Sequence, residues 1–366
     1  MKTILYQCIL MIPALIFTYP DVTKGHGTVI SEKCANLDSL QRSGQNVRIV
    51  FWNVENLYDP YDDTTTLDDE FTSSDARHWS YSKFRKKLNL LSKTLITAGG
   101  WEPPAIVGMC EVENRYVLKK LIYETPLSAW KYRILHHESP DARGIDVAMI
   151  YRPDRFILHL SKTISIRFPF DTTAQTREIL LVQGMLFNSD TLYVLINHWP
   201  SRRGGYAESQ PRRNHVAGVL RAITDSILTK DPVANILIMG DFNDEPDKES
   251  IFAILGATGD TVSRNSGNLV NLMSPKLNKQ GTIKYQGAWS ILDQFIVSGP
   301  LFRGSNGLKS CFTDACILKF SFLLSDDPRY FSSKPDRTYI GPRYNGGFSD
   351  HLPIRLEIRH CQKNGH

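Results

Sequence analysis

The chain has 366 residues, 42% of them hydrophobic and 22% charged, with a formal charge of +5 and a sequence pI of about 8.7. This composition is that of a folded soluble protein and excludes a disordered, collagenous or polytopic membrane chain. The positive excess is mild: it permits a polyanionic substrate without requiring one.

Residues 1–20 differ from the rest, with Lys2 followed by an apolar run from Ile4 to Phe17. About 20 apolar residues are needed to span a bilayer, so the run reads as a secretory signal over 1–25. A polar arm over 26–46 follows, and one domain over 47–366. Without the signal five cysteines remain. Cys110 lies in an apolar strand pattern and reads as a buried free thiol. Cys311 with Cys316, and Cys34 with Cys361, are the expected disulfides of an exported chain.

Val47–Val54 reads as a buried strand, and Asp59–Ser74 as a long acidic surface loop. Phe84, Leu88, Leu91 and Leu95 have helical spacing within Ser82–Ala98, which stops at Gly99-Gly100. Ala105–Cys110 is a second buried strand, and Asn114 caps a short helix to Tyr123. Strands are then expected over Tyr132–His137, Ile145–Tyr151, Phe156–Phe168, Glu178–Phe187 and Leu192–His198. Ser209–Leu228 is an amphipathic helix, Asn235–Met239 a strand and Pro246–Leu255 a helix. Thr258–Ser290 is turn-rich, and strands at Leu292–Val297 and Leu352–Ile358 finish the chain. No repeat and no linker divides it. Strand blocks interleaved with few helices point to two packed sheets with helices outside.

Polar residues stand at the ends of these apolar strands: Asn53 and Glu55, Glu111, His198, Asp241 and Asn243, Asp293, and Ser349-Asp350-His351. Strand ends hold side chains in fixed geometry around a shared cleft. Asn53, Glu111 and Asp350 are hard oxygen donors suited to Mg²⁺, Mn²⁺ or Ca²⁺ and poorly suited to zinc. His198 and His351 supply proton transfer near neutral pH, and Asp293 and Asp146 are candidates to orient them. Taken singly, each has a plain structural explanation as a turn, cap or strand residue. Six such coincidences in one chain are harder to explain than one site for metal-assisted attack of water on a phosphoester.

In order and approximate spacing, these segments resemble the endonuclease/exonuclease/phosphatase superfamily, as a deoxyribonuclease I-like, secreted bacterial-type member. The resemblance rests on Phe51-Trp52-Asn53-Val54-Glu55-Asn56, Cys110-Glu111-Val112-Glu113-Asn114, Asn197-His198-Trp199-Pro200, Gly240-Asp241-Phe242-Asn243, Leu292-Asp293-Gln294 and Ser349-Asp350-His351. It implies a four-layered α/β sandwich, two mixed β-sheets packed face to face with outer helices. It further implies that Glu111, with Asn53 and Asp350, binds the divalent cation. His351, oriented by Asp293, would activate water or stabilise the phosphorane, and His198 would serve the leaving oxygen. Asp241 would align or deprotonate the water, and Asn243 would donate to a phosphate oxygen. Asp146, in Gly144–Arg152, is the implied partner of His198, and Arg177 the implied phosphate-binding arginine.

The superfamily acts on DNA, RNA tails, inositol phosphates and sphingomyelin, so the fold does not choose the substrate. Gln294 after Asp293, and Gln286-Gly287-Ala288-Trp289-Ser290 before it, depart from the inositol-phosphatase pattern. A sphingomyelinase would need an exposed apolar hairpin; none is obvious, and Phe320–Leu324 is the segment to check. Arg202, Arg203, Arg212 and Arg213 follow closely on His198 and suit a nucleic-acid backbone, DNA before RNA. The alternative for these arginines is a solvated loop paired with Glu208 and Asp247. The expectation is a secreted nuclease. The other readings are a phosphodiesterase or phosphatase for lipid or small phosphoesters, and a non-catalytic binding protein on the same fold.

Overall fold

The computed structural model describes residues 46–100, 102–187, 190–259 and 267–361. The expected signal, the arm before Asn46 and Cys34 lie outside these residues. The strands of the first half are β1 (Asn46–Leu57), β2 (Ile106–Val112), β3 (Arg133–His136), β4 (Asp146–Tyr151), β5 (Phe156–Ile164), β6 (Ile179–Leu186), β7 (Asp190–His198) and β8 (Asn235–Asp241). Next come β9 (Ala257–Thr258), β10 (Leu269–Asn271), β11 (Ile283–Tyr285), β12 (Ala288–Ser290), β13 (Asp293–Ser298), β14 (Leu308–Lys309) and β15 (Ala315–Ile317). The last are β16 (Leu324–Asp327), β17 (Ser332–Pro335), β18 (Tyr339–Ile340), β19 (Arg343–Tyr344) and β20 (Ile354–His360).

One sheet has the order β14-β20-β1-β2-β4-β3, with β15 also paired to β20; the other runs β5-β6-β7-β8-β13-β10-β9. Both are mixed: β1 is parallel to β2 and antiparallel to β20, and β7 is parallel to β8. The two sheets pack face to face, with Phe51 and Met149 flanking Gly108 in the first and Val182, Val194, Leu237, Met239 and Phe295 in the second. Close approach is built in at Gly108, where an added Cβ would lie 2.6 Å from the Met239 side chain. The expected sandwich is the observed one.

Helix α1 (Tyr81–Gly99) turns Phe84, Leu88, Leu91 and Leu95 inward, and Ser80 caps it at the Lys83 N–H. Asn114 caps α2 (Arg115–Tyr123) as expected, accepting from the Val117 N–H. Helix α3 (Tyr206–Lys230) begins earlier than its apolar spacing predicts and carries Pro211 inside it. It buries Val216, Leu220 and Leu228 on the outer face of the second sheet. The helix expected over 246–255 is reduced to one wide turn, Ser250–Ile254. Among the described residues no helix is long and apolar enough to cross a membrane.

Two disulfide expectations meet the structure differently. Cys311 and Cys316 are not joined to each other: Cys316 is buried in β15, paired with β20, and Cys311 stands at the start of the turn before it. The Cys34–Cys361 pairing falls outside the described residues. Cys110 is the buried free thiol expected.

Candidate active site

Strands β1, β2, β7 and β8 end, and β13 begins, at the same edge of the sandwich. Register explains it: Asn53 pairs with Cys110, His198 with Asp241 and Asp241 with Asp293. Gly240 lets β8 lie tight against β7, since a Cβ there would meet the Asn197 carbonyl at 2.4 Å. The chain then turns sharply. Glu55, Asn56, Glu111 and Asn243 all have φ between 51° and 60°, a region costly to residues with a Cβ. At Glu111 the turn is a bulge between Cys110 and Val112 that swings the carboxylate out of the strand plane.

Asp241 is the hub. Its Oδ2 accepts from Asn53 Nδ2 at 3.0 Å and lies 3.9 Å from His198 Nε2 and 3.8 Å from His351 Nε2. Its Oδ1 accepts the Asn243 N–H at 2.9 Å. The same Asn53 amide donates to Glu111 Oε1 at 3.2 Å, and Glu111 Oε2 takes the Asn56 N–H at 2.9 Å. His198 Nε2 stands 4.0 Å from Glu111 Oε1. Asn243 donates its amide to the Trp199 carbonyl at 3.0 Å, and its own carbonyl accepts from Arg202 Nε at 2.7 Å.

His351 is held from three sides. Its Nδ1 shares a 2.7 Å hydrogen bond with Asp293 Oδ2, and its carbonyl accepts from Trp52 Nε1 at 2.9 Å. Its N–H donates to Ser349 Oγ, which donates in turn to the Asn53 carbonyl at 2.7 Å. The two histidines are poised in opposite charge states. Burial disfavours the charged ring of both. At His351 the carboxylates of Asp293 and Asp241 outweigh burial and hold the ring protonated well above the ordinary range. At His198 burial is joined by the cations Arg177, Arg143 and His351, so its ring stays neutral to well below the usual range. Burial, with Asp293 nearby, pushes the Asp241 carboxyl up.

Three expectations need correction. Asp146 does not partner His198: its carboxylate is taken by His136 Nε2 at 3.0 Å and the Ser139 N–H at 2.9 Å. Among the described residues, buried His198 Nδ1 has no hydrogen-bond partner. Asp350 is claimed by Arg337 at 3.0 Å, and Arg337 also reaches Glu55 at 3.3 Å. Asn53 presents its N–H₂ group to the carboxylates, and its oxygen accepts the Glu55 N–H at 3.0 Å. Glu111 and Asp241, two carboxylates sharing one amide, are therefore the oxygen donors facing a common point. That donor chemistry fits a hard divalent cation.

The arginines divide as well. Arg213 is wholly buried in an ion pair with Asp244 at 2.8 Å, and Arg212 pairs with Asp171. Neither partner is the expected Glu208 or Asp247. Arg177 donates to Asp141 at 2.9 Å and to the Trp199 carbonyl at 2.6 Å. Arg203 is exposed and joins none of the ion pairs among the described residues. Sequence reasoning missed the roles of Glu55 and Arg337, because they meet only through a contact 282 positions apart. It also missed an exposed aromatic pair. Phe320 and Leu323 are buried, but the tips of the β16–β17 and β11–β12 hairpins leave Phe331 97% and Tyr285 73% exposed.

The model for the Endonuclease/Exonuclease/phosphatase family matches residues 48–360. The chain belongs to this family. Family members are divalent-metal-dependent phosphoric ester hydrolases, and so is this protein. Several solved structures share the family's fold. D. rerio TDP2 complexed with a single-strand DNA product is 16% identical, with a TM-score of 0.50, over 86% of this chain and 98% of that one. The human Nocturnin catalytic domain with a bound sulfate anion is 17% identical, TM-score 0.51, over 86% and 95%. An endonuclease/exonuclease/phosphatase family protein from Bacteroides thetaiotaomicron is 13% identical, TM-score 0.53, over 88% and 97%. At such identities the likeness is one of fold. No curated protein matches the chain.

Proposed function

We propose that this protein is an exported nuclease that hydrolyses phosphodiester bonds of nucleic acid, DNA first, with Mg²⁺ as its cation and Mn²⁺ or Ca²⁺ as substitutes. The observation that carries the reading is the convergence of Glu111, His198 and His351 on the Asp241 carboxylate, each within 4.0 Å of one of the others. Glu111 would hold the cation, its carboxylate set by the amide that Asn53 donates to it. When bound, the cation neutralises phosphate charge and draws electron density from phosphorus. Asp241, a carboxylate made more basic by burial, aligns and deprotonates the attacking water. Protonated His351, fixed by Asp293, stabilises the charge that develops on the phosphoryl oxygens. Neutral His198 hydrogen-bonds the leaving oxygen, and Asn243 donates to a phosphate oxygen. Arg177, Arg202 and Arg203 line the approach and favour a polyanionic backbone. The structure of TDP2 with a single-strand DNA product adds fold-level support for a nucleic-acid substrate.

Plasmid nicking tests this. Supercoiled DNA is incubated with the mature chain, with and without Mg²⁺, beside Glu111→Ala and His198→Ala. Metal-dependent nicking lost in both variants supports the reading. An intact plasmid, with bis(p-nitrophenyl) phosphate still cleaved, removes the nucleic-acid substrate and keeps the chemistry.

Phe331 and Tyr285 favour a second reading, a phosphodiesterase working at a lipid surface. Two exposed rings beside Arg329 and Lys334 suit a headgroup interface. Co-sedimentation with anionic vesicles, lost in Phe331→Ser, would favour it over the first.

A further inference from the structure

Cys110 stands at the catalytic edge, and the proposed chemistry makes no use of it. It closes the apolar run of β2 two residues after Gly108. Period-two alternation therefore turns it to the same face, the one that meets Met239 of the second sheet. Strands β7 and β8 of that sheet bring His198 and Asp241 opposite. The Cys110 Sγ, a ring nitrogen of His198 and a carboxylate oxygen of Asp241 all lie within 4.8 Å of one another, and all three residues are buried. Cys110 is in no disulfide. Among the described residues the buried Nδ1 of His198 has no hydrogen-bond partner. A buried ring nitrogen without a partner is uncommon, and it leaves the imidazole unpinned and able to turn onto an ion.

We propose that Cys110, His198 and Asp241 form a zinc site that switches the enzyme off. The donor types choose the ion. Mg²⁺ and Ca²⁺ take oxygen and have no use for a sulfur, whereas a thiolate, an imidazole and a carboxylate together make a zinc set. Zinc bonds of about 2.0–2.3 Å place two ligands of a tetrahedral ion roughly 3.3–3.6 Å apart. His198 Nε2 and Asp241 Oδ2 stand 3.9 Å apart, so the pair closes by about half an ångström to grip the ion. On binding, Cys110 gives its thiol proton to solvent and its sulfur to the metal, and the fourth position is left to water. The ion then occupies the Asp241 oxygen assigned to the attacking water and the His198 nitrogen assigned to the leaving oxygen. The inference rests on those two assignments.

Co²⁺ serves as a spectroscopic stand-in for Zn²⁺. Added to the metal-free mature chain, it is expected to give the near-ultraviolet band of sulfur-to-cobalt charge transfer, and Zn²⁺ is expected to bleach that band. The band should be absent from Cys110→Ala and present in Cys361→Ala. In Mg²⁺-supported hydrolysis of bis(p-nitrophenyl) phosphate, Zn²⁺ is expected to inhibit the wild type. Outer partners of a metal are alone worth about 10–100-fold in affinity, so Cys110→Ala, which removes a ligand, should need at least about tenfold more Zn²⁺. Its rate without Zn²⁺ is expected to match the wild type, which also shows that it folds. Cys110→Ser, nearly equal in volume, repeats the comparison if Cys110→Ala does not fold. No cobalt band, a band that survives loss of Cys110, or equal Zn²⁺ sensitivity in wild type and variant overturns the site. A wild type inert with Mg²⁺ removes the chemistry proposed above, while the cobalt spectra still decide whether these residues bind the ion.

Discussion

Asp293→Asn is the sharpest probe of the site, because it removes a charge and almost no volume. Asp293 is fully buried, and its Oδ2 lies 2.7 Å from His351 Nδ1. Two unit charges about 4 Å apart interact by about 4 kcal/mol at an effective dielectric near 20. Part of that field survives, since Asp241 still faces the other ring nitrogen at 3.8 Å. A loss of roughly 3–4 kcal/mol in the transition state lowers kcat by about two to three decades, with little change in KM. The sign of the pH effect also follows. His351 is held protonated above its ordinary range in the fold, so its contribution to stability is present below the unfolded value and lost as pH rises through the folded one. Without Asp293 the folded value falls, and both activity and stability should begin to decline at lower pH than in the wild type. The assay is a pH–rate profile on bis(p-nitrophenyl) phosphate with Mg²⁺, paired with urea unfolding across the same pH range. A kcat within tenfold of wild type, or an alkaline limb that does not move, would refute the assignment of His351 as the protonated partner.

Three other outcomes are expected. Glu111→Gln loses the charge and can accept only one of the two hydrogen bonds that Asn53 and the Asn56 N–H now give to separate oxygens, so Mg²⁺ binding by calorimetry should weaken at least tenfold, with a small fall in melting temperature. Arg213→Met strands the buried Asp244 carboxylate, and urea unfolding should show a loss of about 3–5 kcal/mol. Lys87 is buried against Thr338 and the Phe348 carbonyl, and burial lowers its pKa to about 8 from 10.5. Between those values the unfolded chain binds more protons than the folded one, so wild-type stability gains with pH there; Lys87→Met should lack that gain in unfolding curves from pH 7.5 to 10.

The sandwich and the strand ends were legible because the strands are continuous apolar runs, from Ile49–Trp52 to Ile236–Met239, each closed by a polar residue. Other features turn on information that a linear pattern does not carry. Arg202 and Arg213 look alike in sequence, yet one flanks Asn243 and the other is sealed against Asp244. Asp146 sits on a strand whose neighbour β3 brings His136 closer than β7 brings His198, a matter of sheet order alone. The hairpins between residues 324 and 344 have strands of two to four residues, too short for any period to register. The positive φ of Glu111 arises from a bulge that no propensity encodes, although an acid directly after a buried strand was a visible signal.

Those left-handed turns have a consequence for how the protein can change. At Glu55, Asn56, Glu111 and Asn243 glycine is the residue the backbone prefers, and the present side chains are kept against a cost of order 1 kcal/mol each. A library of variants sorted only for resistance to heat should therefore drift toward glycine at these positions, and its hardiest survivors should be the least active.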